Sequence, residues 1–364
     1  MQEIFLRIKN KKHMEKILNL LFVGDLNQGG RSLQRCETLE ILGHNVSRIS
    51  SIPIPFIAGT DHPSLMSRIL WKLKLPLDAN NENLNIQKIV NQNKFDVVWI
   101  DKGVTIHPKT LERIKKKMPK CVLVSCSEDD MYAKHNRSWW YVWGLKYYDI
   151  VFTTKVYNLS ELKTLGARKT DLFLDSYDEN LHRPLILTDD DRENFACDVG
   201  FIGTFENDRA EHMLYLAEHG VTVTVWGNGW NGWRNKHRNL VIQNKAVYGE
   251  DYVKAINATK INLCFLRKIN RDEVTSRSVE IPACGAFMLG ERTRRHLDFF
   301  EEGKEAEFFD SNEEMLQKVR FYLENNEKRK EIARAGRERC LKSGYSQREQ
   351  ISKMLASLWI LKRV

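Results

Sequence analysis

A short polar segment in the second half of the chain carries side chains suited to binding a nucleotide. Arg277 and Glu280 stand three positions apart, so both would lie on one face of a helix that begins near Ser276. A guanidinium group can hold a diphosphate through two parallel hydrogen bonds, and a carboxylate one turn further can accept both hydroxyls of a ribose. Gly285 can then turn the chain tightly into a following strand. The alternative interpretation is an ordinary surface ion pair between Arg277 and Glu280.

Two glycine-containing loops follow predicted strands, one near the start of each half of the chain. The first runs from Gly24 to Ser32 and includes Gly29 and Gly30, and the second runs from Gly203 and Thr204 to Arg209. Such loops present free N–H groups at the start of a helix, where the helix dipole favours a phosphate. Neither loop has a GxGxxG or P-loop sequence, so an ordinary tight connection is the alternative for each.

The elements that position these residues alternate between strand and helix along the chain. Apolar runs such as 96–100 and 198–202 are separated by amphipathic helices, a pattern typical of parallel sheets covered on both faces. The sequence therefore predicts an α/β protein with two Rossmann-like, doubly wound domains that face each other across a ligand-binding cleft. The predicted ranges are 1–184 for the first domain, 185–196 for an acidic linker, 197–344 for the second domain, and 345–364 for a last helix that crosses back to pack on the first domain.

Composition excludes several classes of protein. With 364 residues, 42% of them hydrophobic, the chain is globular and long enough for two domains. Its seven cysteines include no CxxC pair, which argues against a structural zinc site and a disulfide framework. No apolar run reaches the roughly 20 residues of a transmembrane helix. We therefore expect a cytoplasmic protein, either free or peripheral to the inner face of the membrane.

The net charge of +9 belongs almost entirely to the first half, where residues 1–183 contain 28 Lys and Arg against 20 Asp and Glu. A basic domain favours an anionic partner such as a lipid phosphate, an acidic glycan, an anionic membrane or a nucleic acid. A solvated basic face is the alternative. The segment 66–75 (MSRILWKLKL) predicts either a helix lying on an anionic membrane or a buried helix with basic edges, and the sequence slightly favours the buried helix.

Across residues 198–341 the sequence resembles the C-terminal domain of the CgeB-like, spore-maturation type glycosyltransferases, which have the GT-B fold. The matching stretches, in order, are DVGFIGTFENDR, VTVWGNGW, AVYGEDYVKAINATKINLCF, SRSVEIPACGAFML, EEGKEAEFF and IARAGRERCL. The first half shares fewer stretches, among them DVVWIDKG and YDIVFTTK. The resemblance implies an enzyme that transfers a sugar from a nucleoside diphosphate, with a UDP-sugar as the expected donor. We expect no further cofactor, and no metal, because a basic side chain can take the place of a metal ion.

Carried over position by position, the resemblance places the donor on the second domain. The implied donor-binding residues are Gly203, Thr204, Ser276 and Arg277 at the diphosphate, Glu280 at the ribose, Trp226, Gly227 and Tyr248 near the base, with Arg209 and Gly285 completing the set. Related retaining enzymes have two glutamates with seven residues between them, whereas six separate Glu273 from Glu280 here. The choice between a retaining and an inverting reaction therefore stays open.

The first domain is expected to bind the acceptor, and an inverting reaction would also require a base there. The candidate bases, which follow predicted strands, are Asp25, Asp101 and Asp130, with Asp129 and His135 as further candidates. The residues expected on the acceptor side are Gly29, Gly30, Lys102 and His135. A retaining transfer could proceed without a base. A weaker alternative takes Glu128, Asp129 and Asp130 as ligands of a divalent metal.

The expected acceptor is a surface glycan or a lipid-linked saccharide. Modified bases of DNA are an alternative acceptor, because a polyanion also requires a basic surface. A non-catalytic protein that binds a nucleotide sugar is an alternative of another class.

Overall fold

The computed structural model describes residues 16–53, 64–243 and 245–361, with side chains up to residue 358. The chain divides into two compact units, the first formed by residues 1–172 and 357–364 and the second by residues 173–356. Each unit is built on one six-stranded sheet in which all neighbouring strands run parallel. The prediction of two doubly wound α/β domains is confirmed.

In the first unit the strand order is β2-β1-β3-β4-β5-β6. The strands are β1 (Asn19–Gly24), β2 (Asn45–Ser50), β3 (Val97–Asp101), β4 (Val122–Ser127), β5 (Ile150–Thr153) and β6 (Thr170–Leu172). The helices are α1 (Arg31–Ile41), α2 (Leu65–Lys72), α3 (Glu82–Gln92), α4 (Pro108–Lys117), α5 (Trp139–Gly144) and α6 (Asn158–Thr164). Every residue of β3 and β4 is buried, as expected for central strands of a parallel sheet covered on both faces.

In the second unit the strand order is β12-β11-β10-β7-β8-β9. The strands are β7 (Cys197–Ile202), β8 (Val223–Trp226), β9 (Leu240–Ile242), β10 (Thr259–Cys264), β11 (Met288–Glu291) and β12 (Glu307–Phe309). The helices are α7 (Asp189–Phe195), α8 (Asn207–Glu218), α9 (Gly249–Ala258), α10 (Arg277–Ala283), α11 (Arg294–Phe299), α12 (Asn312–Glu324), α13 (Asn326–Lys342) and α14 (Gln347–Leu361).

Each sheet has one point at which the chain reverses its direction of winding. In the first unit β1 has β2 on one side and β3 on the other, and in the second unit β7 has β8 on one side and β10 on the other. In open parallel sheets, ligands bind outside the carboxyl ends of the two strands at such a switch point. The topology therefore predicts that ligands bind at the loops after β1 and β3, and at the loops after β7 and β10.

The predicted linker is wrong, because residues 189–195 form the helix α7. Thr188 and Asp191 make a capping box in which each side chain accepts a hydrogen bond from the other residue's backbone N–H. Three aspartates occupy the first turn, where the helix dipole favours negative charge. Asp191 also forms an ion pair of 3.0 Å with Lys254. The acidic run that indicated a linker therefore stabilises a helix start, and the boundary between the units lies after Leu172 rather than after residue 184.

The last helix agrees with its predicted amphipathic pattern. Its apolar side chains Ile351, Met354, Leu355 and Leu358 are buried, while the side chain of Leu361 lies outside the described residues. From Ser357 onward the helix groups with the first unit, and the Ser357 hydroxyl donates to Asp171 of that unit at 3.1 Å. No helix in the described ranges is both long and apolar enough to cross a membrane.

Candidate functional site

Two arginines converge at the switch point of the second sheet. Arg209, in the first turn of α8, is only 3% exposed. Its Nη1 donates to the carbonyl of Thr204 at 3.1 Å and its Nη2 to the carbonyl of Leu266 at 3.4 Å. Arg277, at the start of α10, donates from Nη2 to the carbonyl of Phe265 at 3.2 Å. Backbone carbonyls after β7 and β10 thus hold both guanidinium groups at the carboxyl edge of the sheet.

The two guanidinium groups lie against one aromatic ring. Their central carbons are 5.4 Å and 5.6 Å from the centre of the Phe201 ring, for Arg209 and Arg277 respectively. Burial and, after it, the like charge of Arg277 lower the pKa of Arg209 to about 10. The buried Nε of each arginine has no hydrogen-bond partner within the described part of the chain. Arg209 also forms an ion pair of 3.3 Å with Glu206. Two neighbouring guanidinium groups that exceed the single carboxylate beside them in charge can attract a multivalent anion.

The loops after β7 and β8 touch each other through two glycines. The N–H of Gly203 donates to the carbonyl of Trp226 at 2.9 Å, and Trp230 Nε1 donates to the carbonyl of Gly203 at 2.9 Å. Gly227 has φ +153°, and a Cβ there would stand 2.0 Å from the Gly203 oxygen. Gly227 is therefore required for the close approach of the two loops. Trp226 itself is buried with Val247 and Ala255, so its ring packs in the core and offers no open face on which a base could stack.

Tyr248 presents the exposed aromatic ring that Trp226 does not. Its side chain is 57% exposed immediately before α9. Its hydroxyl lies 3.4 Å from Asn228 Nδ2, and the carbonyl of Asn228 accepts from the N–H of Phe205 at 2.9 Å. The loops after β7 and β8 and the start of α9 thus meet at one edge of the unit, with Thr204 exposed in the first of them.

Glu280 is buried on α10 and has two neighbours that the sequence did not indicate. Its Oε2 accepts a hydrogen bond of 2.7 Å from the Tyr252 hydroxyl, and its Oε1 lies 3.8 Å from His182 Nε2. Burial and the Glu280 charge raise the pKa of Tyr252 well above its usual value. Tyr252 stands one helical turn after Tyr248, and this spacing was the available signal for it.

Ser276 and Gly285 lie at the two ends of α10. The carbonyl of Ser276 accepts from the N–H groups of Val279 and Glu280, which makes Ser276 the residue that starts the helix. Gly285 has φ +71° and ends the helix next to the side chain of Pro184. Its geometry is that of a helix-terminating turn. This geometry explains why a glycine occupies the position, and no ligand contact is required to explain it.

Ser278, the residue after Arg277, belongs to a buried chain of hydrogen bonds that the sequence did not predict. Ser278 Oγ lies 2.7 Å from His296 Nε2, and His296 Nδ1 lies 2.6 Å from the carbonyl of Glu291. Because a carbonyl only accepts, Nδ1 carries the proton and Nε2 accepts from the serine. Burial lowers the pKa of His296 to about 4, which keeps the imidazole neutral.

In the first unit, Asp101 is not a free base. At the carboxyl end of β3, its Oδ2 accepts from Arg35 Nε at 2.9 Å and from Arg35 Nη2 at 2.7 Å. Its Oδ1 accepts from Trp99 Nε1 at 3.0 Å. Arg35, on α1, also pairs with Glu128 at the end of β4. The buried ion pair therefore connects β3 and β4 to α1. Because both carboxylate oxygens of Asp101 accept hydrogen bonds within this cluster, we assign it a structural role.

Asp130 is also engaged. It is fully buried, and its Oδ1 accepts from the N–H groups of Tyr132 and Ala133 and from Asn158 Nδ2, at 2.8–3.2 Å. These bonds shape the turn after β4 and explain an aspartate there without catalysis. Asp25 differs, because it is exposed after β1 and its Oδ1 accepts only a local hydrogen bond of 2.9 Å from the N–H of Asn27 among the bonds described.

The remaining acceptor-side residues lie on loops of the first unit. Lys102 forms an ion pair of 2.7 Å with Asp129. Gly29 and Gly30 belong to the turn before α1, where the N–H of Gly30 donates to Asn27 at 2.9 Å. His135 is exposed in the irregular segment after β4. The structure thus brings Lys102 and Asp129 together but shows no contact that joins His135 to them.

The Glu128-Asp129-Asp130 run has no shared metal-binding geometry. Burial would raise the pKa of Glu128, but the charges of Arg31 and Arg35 outweigh it and lower this pKa to about 2. Asp129 pairs with Lys102, and Asp130 holds its own turn. Within the described ranges no three His, Cys, Asp or Glu side chains are grouped so as to hold a metal ion.

The family described as glycosyl transferase-like matches residues 209–356, all within the second unit. No curated protein sequence matches the chain. Among solved structures, sucrose-phosphate synthase from Thermosynechococcus elongatus has a TM-score of 0.67 at 11% identity, covering 94% of this chain and 99% of that chain.

Two further structural relatives were solved with ligands. HepE from Anabaena, in complex with UDP-glucose, has a TM-score of 0.59 at 13% identity and covers 93% of this chain and 100% of that chain. An alpha-glucosyltransferase in complex with UDP and a 13-mer DNA has a TM-score of 0.60 at 13% identity, covering 95% and 100%. At these identities the likeness concerns the fold, and the GT-B prediction is confirmed. With the family match, the prediction of a glycosyltransferase is confirmed as well, while the CgeB-like type stays a prediction.

Proposed function

We propose that the second unit binds a UDP-sugar and that the chain transfers its sugar to an acceptor held by the first unit. The observation that carries this proposal is the Arg209–Arg277 pair at the β7–β10 switch point, with one buried and unpartnered Nε on each arginine. A diphosphate would offset the repulsion between the two cations. The resemblance to CgeB-like enzymes agrees with this placement and forms part of the proposal.

The same pair would assist the chemical step. When the bond to the sugar breaks, negative charge develops on the leaving diphosphate. Arg209 and Arg277 are already held in place by backbone carbonyls, so they would stabilise this charge without having to reorganise. We propose that these cations supply the charge neutralisation for which other enzymes use a metal ion.

The other donor contacts follow from the placement of the diphosphate. Tyr248 is the proposed stacking surface for the base, since its ring is exposed and joined to the loop after β8. Glu280 is the proposed acceptor of the ribose hydroxyls, with Tyr252 orienting its carboxylate. UDP is the proposed nucleotide because two relatives of the same fold were solved with UDP or UDP-glucose.

On the acceptor side, the proposal assigns the base of an inverting reaction to Asp25. Its carboxylate is exposed at the carboxyl end of β1, whereas both oxygens of Asp101 accept buried hydrogen bonds. A saccharide acceptor is proposed. DNA is the second candidate, favoured by the excess positive charge of residues 1–183 and by the alpha-glucosyltransferase that was solved with DNA.

Isothermal titration with UDP, uridine and UDP-glucose tests the donor site. Replacing Arg209 or Arg277 with alanine removes charge-assisted hydrogen bonds worth about 1.5–3 kcal/mol, so UDP affinity should fall by about 10- to 150-fold. Uridine affinity should change little. The matched control is Arg320→Ala, which removes an exposed arginine of α12 that donates to the carbonyl of His219.

Unchanged UDP affinity in both arginine variants would overturn the assignment of the diphosphate site. UDP-glucose binding without any hydrolysis or transfer, across saccharide and DNA acceptors, would instead favour the non-catalytic binding protein.

A further inference from the structure

The helix α2 has no buried residue, which contradicts the predicted buried helix with basic edges. Its apolar side chains and the one that follows it, Leu65, Met66, Ile69, Trp71 and Leu73, are each between 38% and 73% exposed. Four of them, Leu65, Met66, Ile69 and Leu73, fall within about 100° of one face at 3.6 residues per turn. Arg68 and Lys72 project beside this face, on one flank. The helix is therefore amphipathic, with its apolar face turned to solvent.

A pair of exposed tryptophans extends this apolar area. The N–H of Trp139 donates to the carbonyl of Lys74 at 2.8 Å, and Trp140 Nε1 donates to the carbonyl of Pro76 at 3.3 Å. These bonds fasten α5 to the segment after α2. Trp139 and Trp143 stack with their ring centres 5.9 Å apart, and each is nearly half exposed. We call the exposed side chains of α2 and Leu73, with Trp139 and Trp143, the α2–α5 surface.

The two segments that carry this surface are basic. Residues 64–77 and 138–148 contain four Lys and Arg and no Asp or Glu, while Asp78 and Asp149 directly follow them. The Lys74 ammonium lies 5.5 Å from the centre of the Trp71 ring. Basic side chains that flank exposed leucine, isoleucine and tryptophan side chains match the boundary between anionic headgroups and acyl chains.

We propose that the α2–α5 surface docks the protein on an anionic lipid bilayer. The apolar side chains of α2 and the two tryptophans would enter the headgroup–acyl boundary, while Arg68, Lys72 and Lys74 would face lipid phosphates. Nucleic acid fits this surface less well, because phosphate contacts provide no reason to expose Leu65, Met66 and Ile69 together. The inference does not depend on the glycosyltransferase activity.

Co-sedimentation of the full chain with lipid vesicles tests the proposal. We expect binding to phosphatidylcholine vesicles that contain phosphatidylglycerol and at least tenfold weaker binding to phosphatidylcholine alone. The double variant Leu65→Ser/Ile69→Ser should weaken binding about tenfold or more. Arg68→Gln/Lys72→Gln should weaken it as well, by about fivefold per charge removed. Because all four side chains are exposed, each variant should keep the UDP affinity and thermal stability of the parent.

Matched controls use exposed residues elsewhere. Ile186→Ser removes a fully exposed apolar side chain of the second unit, and Lys328→Gln with Lys342→Gln removes two surface charges of α13. Neither control should change vesicle binding. Equal binding to both kinds of vesicle, no binding to either, or equal loss in the controls would overturn the proposal. So would duplex DNA binding that the charge variant weakens while vesicle binding is absent.

Discussion

The pH dependence of the second unit should report on His296. The imidazole is fully buried, it stacks on Phe308 with ring centres 5.1 Å apart, and its two nitrogens bond to Ser278 and to the carbonyl of Glu291. A proton added to Nε2 would face Ser278 Oγ, which would have to turn its own proton away. The neutral imidazole is thus the form that the folded unit accommodates.

The magnitude follows from the lowered pKa. A pKa of about 4 in the folded unit, against 6.5 for an ordinary histidine, means that the unfolded chain binds more protons between these values. The contribution of neutral His296 to the free energy of unfolding is therefore fully present above pH 6.5, and it is lost as the pH drops towards 4. At 1.36 kcal/mol per pKa unit, the loss attributable to His296 is about 2 kcal/mol at pH 5 and about 3 kcal/mol at pH 4.

Hydrogen exchange on peptides from α10 to α11 (residues 277–299), compared at pH 8 and pH 5 after correction for the intrinsic rates, measures this loss locally. His296→Gln should abolish most of the pH dependence, at a stability lower than that of the parent at pH 8. The control is His219→Gln, which changes an exposed histidine. An imidazole signal of His296 that titrates near pH 6.5, or equal pH dependence in parent and variant, would refute the reasoning.

Two further predictions concern single side chains. Glu82 is buried on α3, and burial raises its pKa to about 7, so the folded first unit loses stability as the pH rises from 4.5 to 7. Glu82→Gln should raise the free energy of unfolding, measured in urea, by up to about 3 kcal/mol at pH 8 and change it little at pH 4.5; equal effects at both pH values would contradict the assignment. Gly227→Ala should displace the Gly203 loop and weaken UDP binding at least tenfold, whereas Gly232→Ala, where a Cβ meets nothing within 4 Å, should not. Full UDP affinity in Gly227→Ala would show that the two loops need not touch.

Most strands and helices could be predicted from the sequence, because their periodicity is a local property. The apolar runs 96–100 and 198–202 are observed as the strands β3 and β7, with each end within one residue of the prediction. The failures were α7 and α2, for two reasons. Capping can outweigh a lack of apolar residues, as in α7, and periodicity does not reveal whether an apolar face is covered, as in α2.

The amino-acid sequence by itself determined the two-domain α/β architecture and the glycosyltransferase activity, since alternation, composition and motif resemblance can all be read along the chain. Only the tertiary structure decided which charged groups are already paired. Arg35 neutralises Asp101 across 66 positions, while Arg209 and Arg277 meet over one phenylalanine, with Glu206 as the ion-pair partner of Arg209. The physical reason is that a side chain's chemistry depends on its burial and its partners, and at these sites the partners come from strands and helices far apart in the chain.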